Sequence, residues 1–153
     1  MKSSLPLTFQ KPEDPNSRNV TIGMVPGRGR GVFAIRTISE GETIERAPVI
    51  PVPGKEWKKL ENGVLSNYAF DWGENAEHAA IALGYVSIYN HSYSPNARLE
   101  ELPDELMMEI VALQDIHSGD EITINYNGEP GNRDELWFRV TNPAQRPVRK
   151  PRR

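Results

Sequence analysis

At 153 residues, with 37% apolar, 8% aromatic and 25% charged residues, the chain is expected to be one globular domain able to bury a real core. It has no cysteine, which excludes disulfides, thiolate catalysis and Cys-ligated zinc; with only His78, His91 and His117, a structural zinc site is not expected either. The net charge of −3 divides unevenly: residues 139–153 carry six basic and no acidic side chains, leaving −9 on the rest, an acidic body that suits a cationic substrate. No apolar run is long enough to cross a bilayer, and the start of the chain lacks the apolar core of a secretory signal.

Residues 1–18 hold Pro6, Pro12 and Pro15 without periodicity and read as a mobile arm. Residues 20–25 form a first strand stopped by Pro26-Gly27, and after Gly29 and Gly31 the apolar run 32–35 is of strand type. Residues 43–50 read as a strand broken by Pro48. A short helix is expected over 55–60, with Trp57 and Leu60 at i, i+3 and Gly63 as its stop. Residues 65–72 alternate in part, placing Tyr68, Phe70 and Trp72 on one face of a strand. Strands follow at 96–100 and 106–113, turned by Pro103-Asp104, and the clearest of all is 122–126, ended by Asn127-Gly128. Many short strands, close turn signals and little helix predict a mostly-β domain over 19–138 and argue against a doubly wound nucleotide-binding sheet. The Pro-rich basic tail 139–153 reads as a solvated end, with phosphate or nucleic-acid contact or a nuclear address as the functional alternatives.

Three stretches carry candidate chemistry. The first, Gly27-Arg28-Gly29-Arg30-Gly31, lacks the long following helix of a dinucleotide site, but its glycines let a backbone approach a ligand closely. Taken alone it is an ordinary Gly-rich turn. In the second, Tyr89-Asn90-His91-Ser92-Tyr93-Ser94-Pro95-Asn96, adjacent side chains seldom converge and no nucleophile elbow surrounds Ser92, so hydrolase chemistry is disfavoured. The Asn90 amide, donor and acceptor at once, can hold a ligand bearing ammonium and carboxylate groups. Third, Tyr126 ends the best strand; the plain expectation is a structural tyrosine bonded to a backbone carbonyl, and the functional one a hydroxyl lining a pocket. Glu121 can pair with a cation or with solvent. Trp137-Phe138 is either a core plug or a flap that stacks on a planar ring.

In order and content together, these motifs resemble the SET-domain protein-lysine methyltransferases over roughly residues 18–138. Residues 29–34 (GRGVFA) match the glycine motif lying along S-adenosylmethionine, residues 89–96 the Asn-His-Ser motif whose Asn and His contact the cofactor, and residues 121–126 (EITINY) the motif ending in the catalytic tyrosine. The resemblance implies several small β-sheets with a C-terminal pseudoknot, an exception to the usual unthreaded chain. It implies Tyr126 as catalytic residue; Arg28, Gly29, Arg30, Gly31, Tyr68, Asn90, His91 and Trp137 as the cofactor site; and Tyr85, Tyr126 and Phe138 around the lysine channel. The partner is then a protein or peptide lysine, and no metal is involved. Ser87 and Tyr93 stand where the family usually has Arg and Cys, and the zinc-binding extension that closes the channel in many members cannot form without cysteine. The plain form looks like the stand-alone SET proteins of bacteria and viruses, which implies a bacterial cytoplasm, or secretion toward a host nucleus if the tail is an address. A catalytically idle SET fold serving as a protein- or nucleic-acid-binding module is the rival expectation.

Overall fold

The computed structural model describes residues 19–136. The expectations for 1–18, for Trp137 and Phe138, and for the basic tail lie outside the described residues. In chain order the described residues form β1 (Val20–Val25), β2 (Gly29–Ala34), β3 (Thr43–Val52), α1 (Gly54–Leu60), β4 (Ala69–Trp72), β5 (His78–Ala82), β6 (Asn90–His91), β7 (Ala97–Leu102), β8 (Met107–Ala112) and β9 (Glu121–Ile124). One sheet has the order β4-β5-β3-β8-β7 and is antiparallel throughout. The other has the order β1-β2-β9-β6, and its last pair is parallel: Asn90 lies opposite Thr123 and His91 opposite Ile124.

The two sheets meet over a shared apolar layer. Val32, Ile122 and Ile124 enter it from the four-stranded sheet, and Ile44, Ala47, Met108 and Ile110 from the five-stranded one, each at 0–1% exposure. Each of these Val, Ile and Met side chains contributes roughly 1.5–3 kcal/mol by leaving water. Ile38 and Ile116, both buried, tie the two inter-strand loops together through paired backbone hydrogen bonds.

Three local readings change and one irregularity is added. β3 is not broken at Pro48: it pairs with β8 as far as Pro48 and with β5 from Val49 onward, so the missing N–H falls where the strand changes partner. A register shift between Thr43 and Glu45 turns two consecutive side chains, Ile44 and Glu45, into the interior, which strict alternation forbids. Only residues 69–72 of the expected 65–72 strand are extended; Val64–Asn67 form a 3-10 turn, so Tyr68 precedes β4. β9 ends at Ile124, leaving Tyr126 two residues past the ladder.

Candidate active site

The turn at Pro26-Gly27, closed by Arg28 N–H on the Val25 carbonyl, delivers Gly29 directly into β2, so the glycine segment is turn and strand together. Gly31 lies within that strand and supplies space. A Cβ there would stand 2.7 Å from Glu121 Oε1 and 2.8 Å from both Asn90 Nδ2 and Val25 Cγ2. Through that gap Asn90 Nδ2 donates to the Arg30 carbonyl at 3.0 Å and to Glu121 Oε1 at 2.8 Å. The other oxygen of Glu121 takes Nη2 of Arg28. Glu121 therefore pairs with a cation 93 positions away in a partly buried site.

Two polar positions of this cluster have hydrogen-bonding capacity left over. Nη1 of Arg28 is buried without a hydrogen-bond partner, a cost that an anionic group would relieve. The carbonyl oxygen of Asn90 remains as an acceptor, since its Nδ2 is committed twice. A carboxylate beside an ammonium group, as in the amino-acid end of S-adenosylmethionine, satisfies both. The Arg30 side chain is exposed, and its contribution to the cluster is its backbone carbonyl.

His91 is 5% exposed, and its Nδ1 accepts the Tyr126 backbone N–H at 3.1 Å. Its ring meets Tyr93 edge-on at 4.3 Å and Tyr126 at 5.4 Å. Burial pushes the imidazole down to about 4, so it is neutral at physiological pH. Because the unfolded chain binds a proton that the folded chain refuses, stability is expected to be complete above the ordinary pKa of 6.5 and to fall between there and about 4. The expected loss is about 3 kcal/mol. Urea melts across that range measure it, and His91→Gln should flatten the dependence.

Tyr126 donates its hydroxyl to the Tyr89 carbonyl at 2.6 Å. Burial, offset by Arg28 and reinforced by Glu121 and Tyr68, holds the phenol up at about 12, so it stays protonated and acts as a donor rather than a base. The Pro-Asn half of the motif proves architectural: Asn96 Nδ2 donates to the Glu121 carbonyl and its Oδ1 accepts Thr123 N–H, pinning β9. Ser92 Oγ accepts Ser94 N–H within its own turn at 2% exposure, which is not the setting of a nucleophile. Tyr93 donates to the Asp134 carbonyl, and Asn125 and Asn127 bind the carbonyls of Asn132 and Asp134, so the segment after Tyr126 is stitched back over the Asn-His strand.

Beside Tyr126 opens a cavity of ≈ 740 Å³. Tyr68, Phe70, Tyr89 and Tyr126 supply its aromatic wall, and Glu61, Asp71 and Glu101 its acidic one. Burial, with Asp71 nearby, holds the Glu101 carboxyl above the usual range. Ser87, at the position where an Arg was expected, also lines it and donates to the Tyr68 carbonyl at 2.9 Å. Tyr85 does not line it; its ring packs against the core. Neither Arg28 nor Asn90 lines it, since their cluster sits at Glu121, three residues back along β9 from the cavity's Ile124. Among the described residues no group of three metal-ligating side chains occurs, and no helix is long and apolar enough to cross a membrane.

Residues 29–127 match the family model for the SET domain. The histone-lysine N-methyltransferase of Schizosaccharomyces pombe that is specific for H3 lysine-37 is 30% identical over 112 residues, 72% of this chain and 71% of that protein. The crystal structure of a candidate histone methyltransferase from Plasmodium falciparum superposes with a TM-score of 0.59 at 30% identity, covering 71% of this chain and 93% of that one. A ctPRC2 chain, in an autoinhibited conformation bound to S-adenosylmethionine, shares the fold at 23% identity with a TM-score of 0.59, covering 71% of this chain and 15% of its own. Fold and motifs together define a protein-lysine methyltransferase of the SET type. The chain belongs to the SET domain family.

Proposed function

We propose that this chain transfers a methyl group from S-adenosylmethionine to the side-chain amine of a lysine in a basic protein segment, with Tyr126 as the catalytic residue. The observation that carries the reading is a neutral, clamped phenol shared between an aromatic, acid-rimmed cavity and the motif that holds Asn90 and His91. Arg28 and Asn90 hold the carboxylate and ammonium of the cofactor, and Gly29, Arg30 and Gly31 give their backbone its close approach. His91 keeps the backbone of Tyr126 in register, and Tyr68 borders the ring system. Trp137 and Phe138 are assigned to closing the cofactor site and the channel, and Tyr85 to backing the channel from the core.

Bound S-adenosylmethionine supplies an electrophilic methyl group on a sulfonium. The chain does the rest by desolvation and alignment. A free lysine has a pKa near 10.4, and an aromatic cavity disfavours its ammonium form, so the proton leaves to solvent before the nitrogen attacks. The C–N bond forms as the C–S bond breaks, giving methyl-lysine and S-adenosylhomocysteine. The Tyr126 hydroxyl oxygen and the Tyr89 carbonyl accept the N–H groups of the amine and leave its lone pair toward the methyl group, and orientation of this kind lowers a barrier by several kcal/mol. Tyr126 remains protonated throughout and is not the base.

Calorimetric titration with S-adenosylmethionine, followed by mass spectrometry of lysine peptide arrays, tests the reading. An idle SET fold binds no cofactor and leaves every peptide at its original mass. Asp71→Asn combined with Glu101→Gln is expected to raise KM for a Lys/Arg-rich peptide roughly tenfold while cofactor affinity holds; an unchanged KM would remove the acidic wall from substrate selection. Nucleic-acid contact through 139–153 is a separate reading suggested by its charge of +6. It requires binding that weakens steeply with salt and vanishes when the tail is removed.

A further inference from the structure

We infer that Glu45 is a positioning residue for methyl transfer, acting through Tyr89 on the hydroxyl of Tyr126. The inference rests on the proposed role of Tyr126 but turns on Glu45, which lies outside all three motifs, and on a role for the Tyr89 hydroxyl that the motifs do not assign. Glu45 is 0% exposed, brought inside by the register shift in β3. One carboxylate oxygen accepts Tyr85 N–H at 2.6 Å and the other the Tyr89 hydroxyl at 2.9 Å. It thereby grips both ends of the 3-10 turn Val86–Ile88 that leads into the Asn-His strand. Gly84, at φ +70°, makes the approach possible, because a Cβ there would lie 2.5 Å from Glu45 Oε1. Tyr89 is 1% exposed and presents its backbone carbonyl to the Tyr126 hydroxyl at 2.6 Å.

The carboxylate thus fixes a phenol, the phenol fixes the backbone that carries it, and that backbone aims the second phenol into the cavity. A buried carboxylate is a poor way to gain stability, since an apolar side chain of similar volume often does as well. It is a good way to hold one geometry, because each of its oxygens fixes a different donor. Burial and the adjacent Glu45 also raise the pKa of Tyr89, so its hydroxyl stays protonated as the donor of this bond.

Tyr89→Phe deletes only the hydroxyl at the centre of the relay. It is expected to keep a cooperative melt and KM values within about twofold for both substrates, while kcat falls roughly tenfold. Glu45→Gln can still accept Tyr85 N–H and donate to the Tyr89 hydroxyl, so its kcat should stay within about threefold of wild type, whereas Glu45→Leu should fall at least as far as Tyr89→Phe. If Glu45→Leu does not fold, the Phe and Gln variants decide the matter. A readout independent of turnover is the 13Cζ resonance of Tyr126 in uniformly ring-labelled protein, which should shift in Tyr89→Phe and not in Glu45→Gln. An unchanged kcat in Tyr89→Phe, or a lowered kcat with the Tyr126 resonance unmoved, overturns the inference. Should the wild type transfer no methyl group at all, the proposed function fails, and the resonance alone still shows whether Glu45 and Tyr89 set the Tyr126 hydroxyl.

Discussion

Replacing Tyr126 by Phe is expected to slow methyl transfer by roughly 10²–10³-fold while cofactor affinity changes by about twofold or less. The phenol ring is retained, so the aromatic wall of the cavity and the contact with the His91 ring survive. The backbone N–H that His91 accepts is untouched as well. What is lost is the hydroxyl bonded to the Tyr89 carbonyl, the group proposed to orient the amine against the methyl. Because the phenol stays protonated up to about 12, its removal should not alter the shape of the pH–rate profile. That profile should rise with the ionisation of the substrate lysine in wild type and variant alike. Single-turnover kinetics and product mass spectra make the measurement, and an unchanged rate with an unchanged product distribution would end the assignment.

The second large effect is expected at Gly31, where alanine should weaken S-adenosylmethionine binding about tenfold to a hundredfold. The backbone there has no need of glycine's conformational range; the obstacle is the neighbourhood. A methyl group would meet Glu121 Oε1, Asn90 Nδ2 and Val25 Cγ2, all inside 3 Å. Two of these are the bonded ends of the Arg28–Glu121–Asn90 cluster, so relief comes by breaking Asn90 away from Glu121. The fold itself should lose only about 1–2 kcal/mol, the usual scale for mild overpacking or one lost hydrogen bond. Titration calorimetry beside a thermal melt separates the two consequences. Equal losses in both would mean that Gly31 serves the sheet and not the ligand.

Much of this was legible in the sequence, for identifiable reasons. β1, α1 and the 7–8 hairpin announced themselves through the Pro26-Gly27 stop, an i, i+3 pair and Pro103-Asp104, all local signals. The convergence of residues 28–31, 90–91 and 121–126 was legible only as a resemblance, because pairing across β2, β6 and β9 leaves no local periodicity. Glu45 stayed hidden for a sharper reason. An acid next to Ile44 reads as a solvent-facing strand residue, and only the register shift in β3 turns it inward. Likewise Gly31 was read as room for a ligand, whereas its immediate neighbours are Asn90 and Glu121. Pro48 misled in the opposite direction, since sequence cannot reveal that β3 exchanges neighbours there.

The parallel join of β6 to β9 is two residues long on each side, yet its partners stand 33 positions apart, Asn90 with Thr123 and His91 with Ile124. Only two residue pairs offset the entropy of that closure, and the seam also needs β9 already seated on β2 across 90 positions, Val32 with Ile122, so it forms slowly. The hairpins on either side can assemble from neighbours in the sequence while this seam waits for both. Catalytic competence is therefore expected to arrive last during refolding, in one late step that docks residues 124–126 against 89–91, well after most secondary structure has formed.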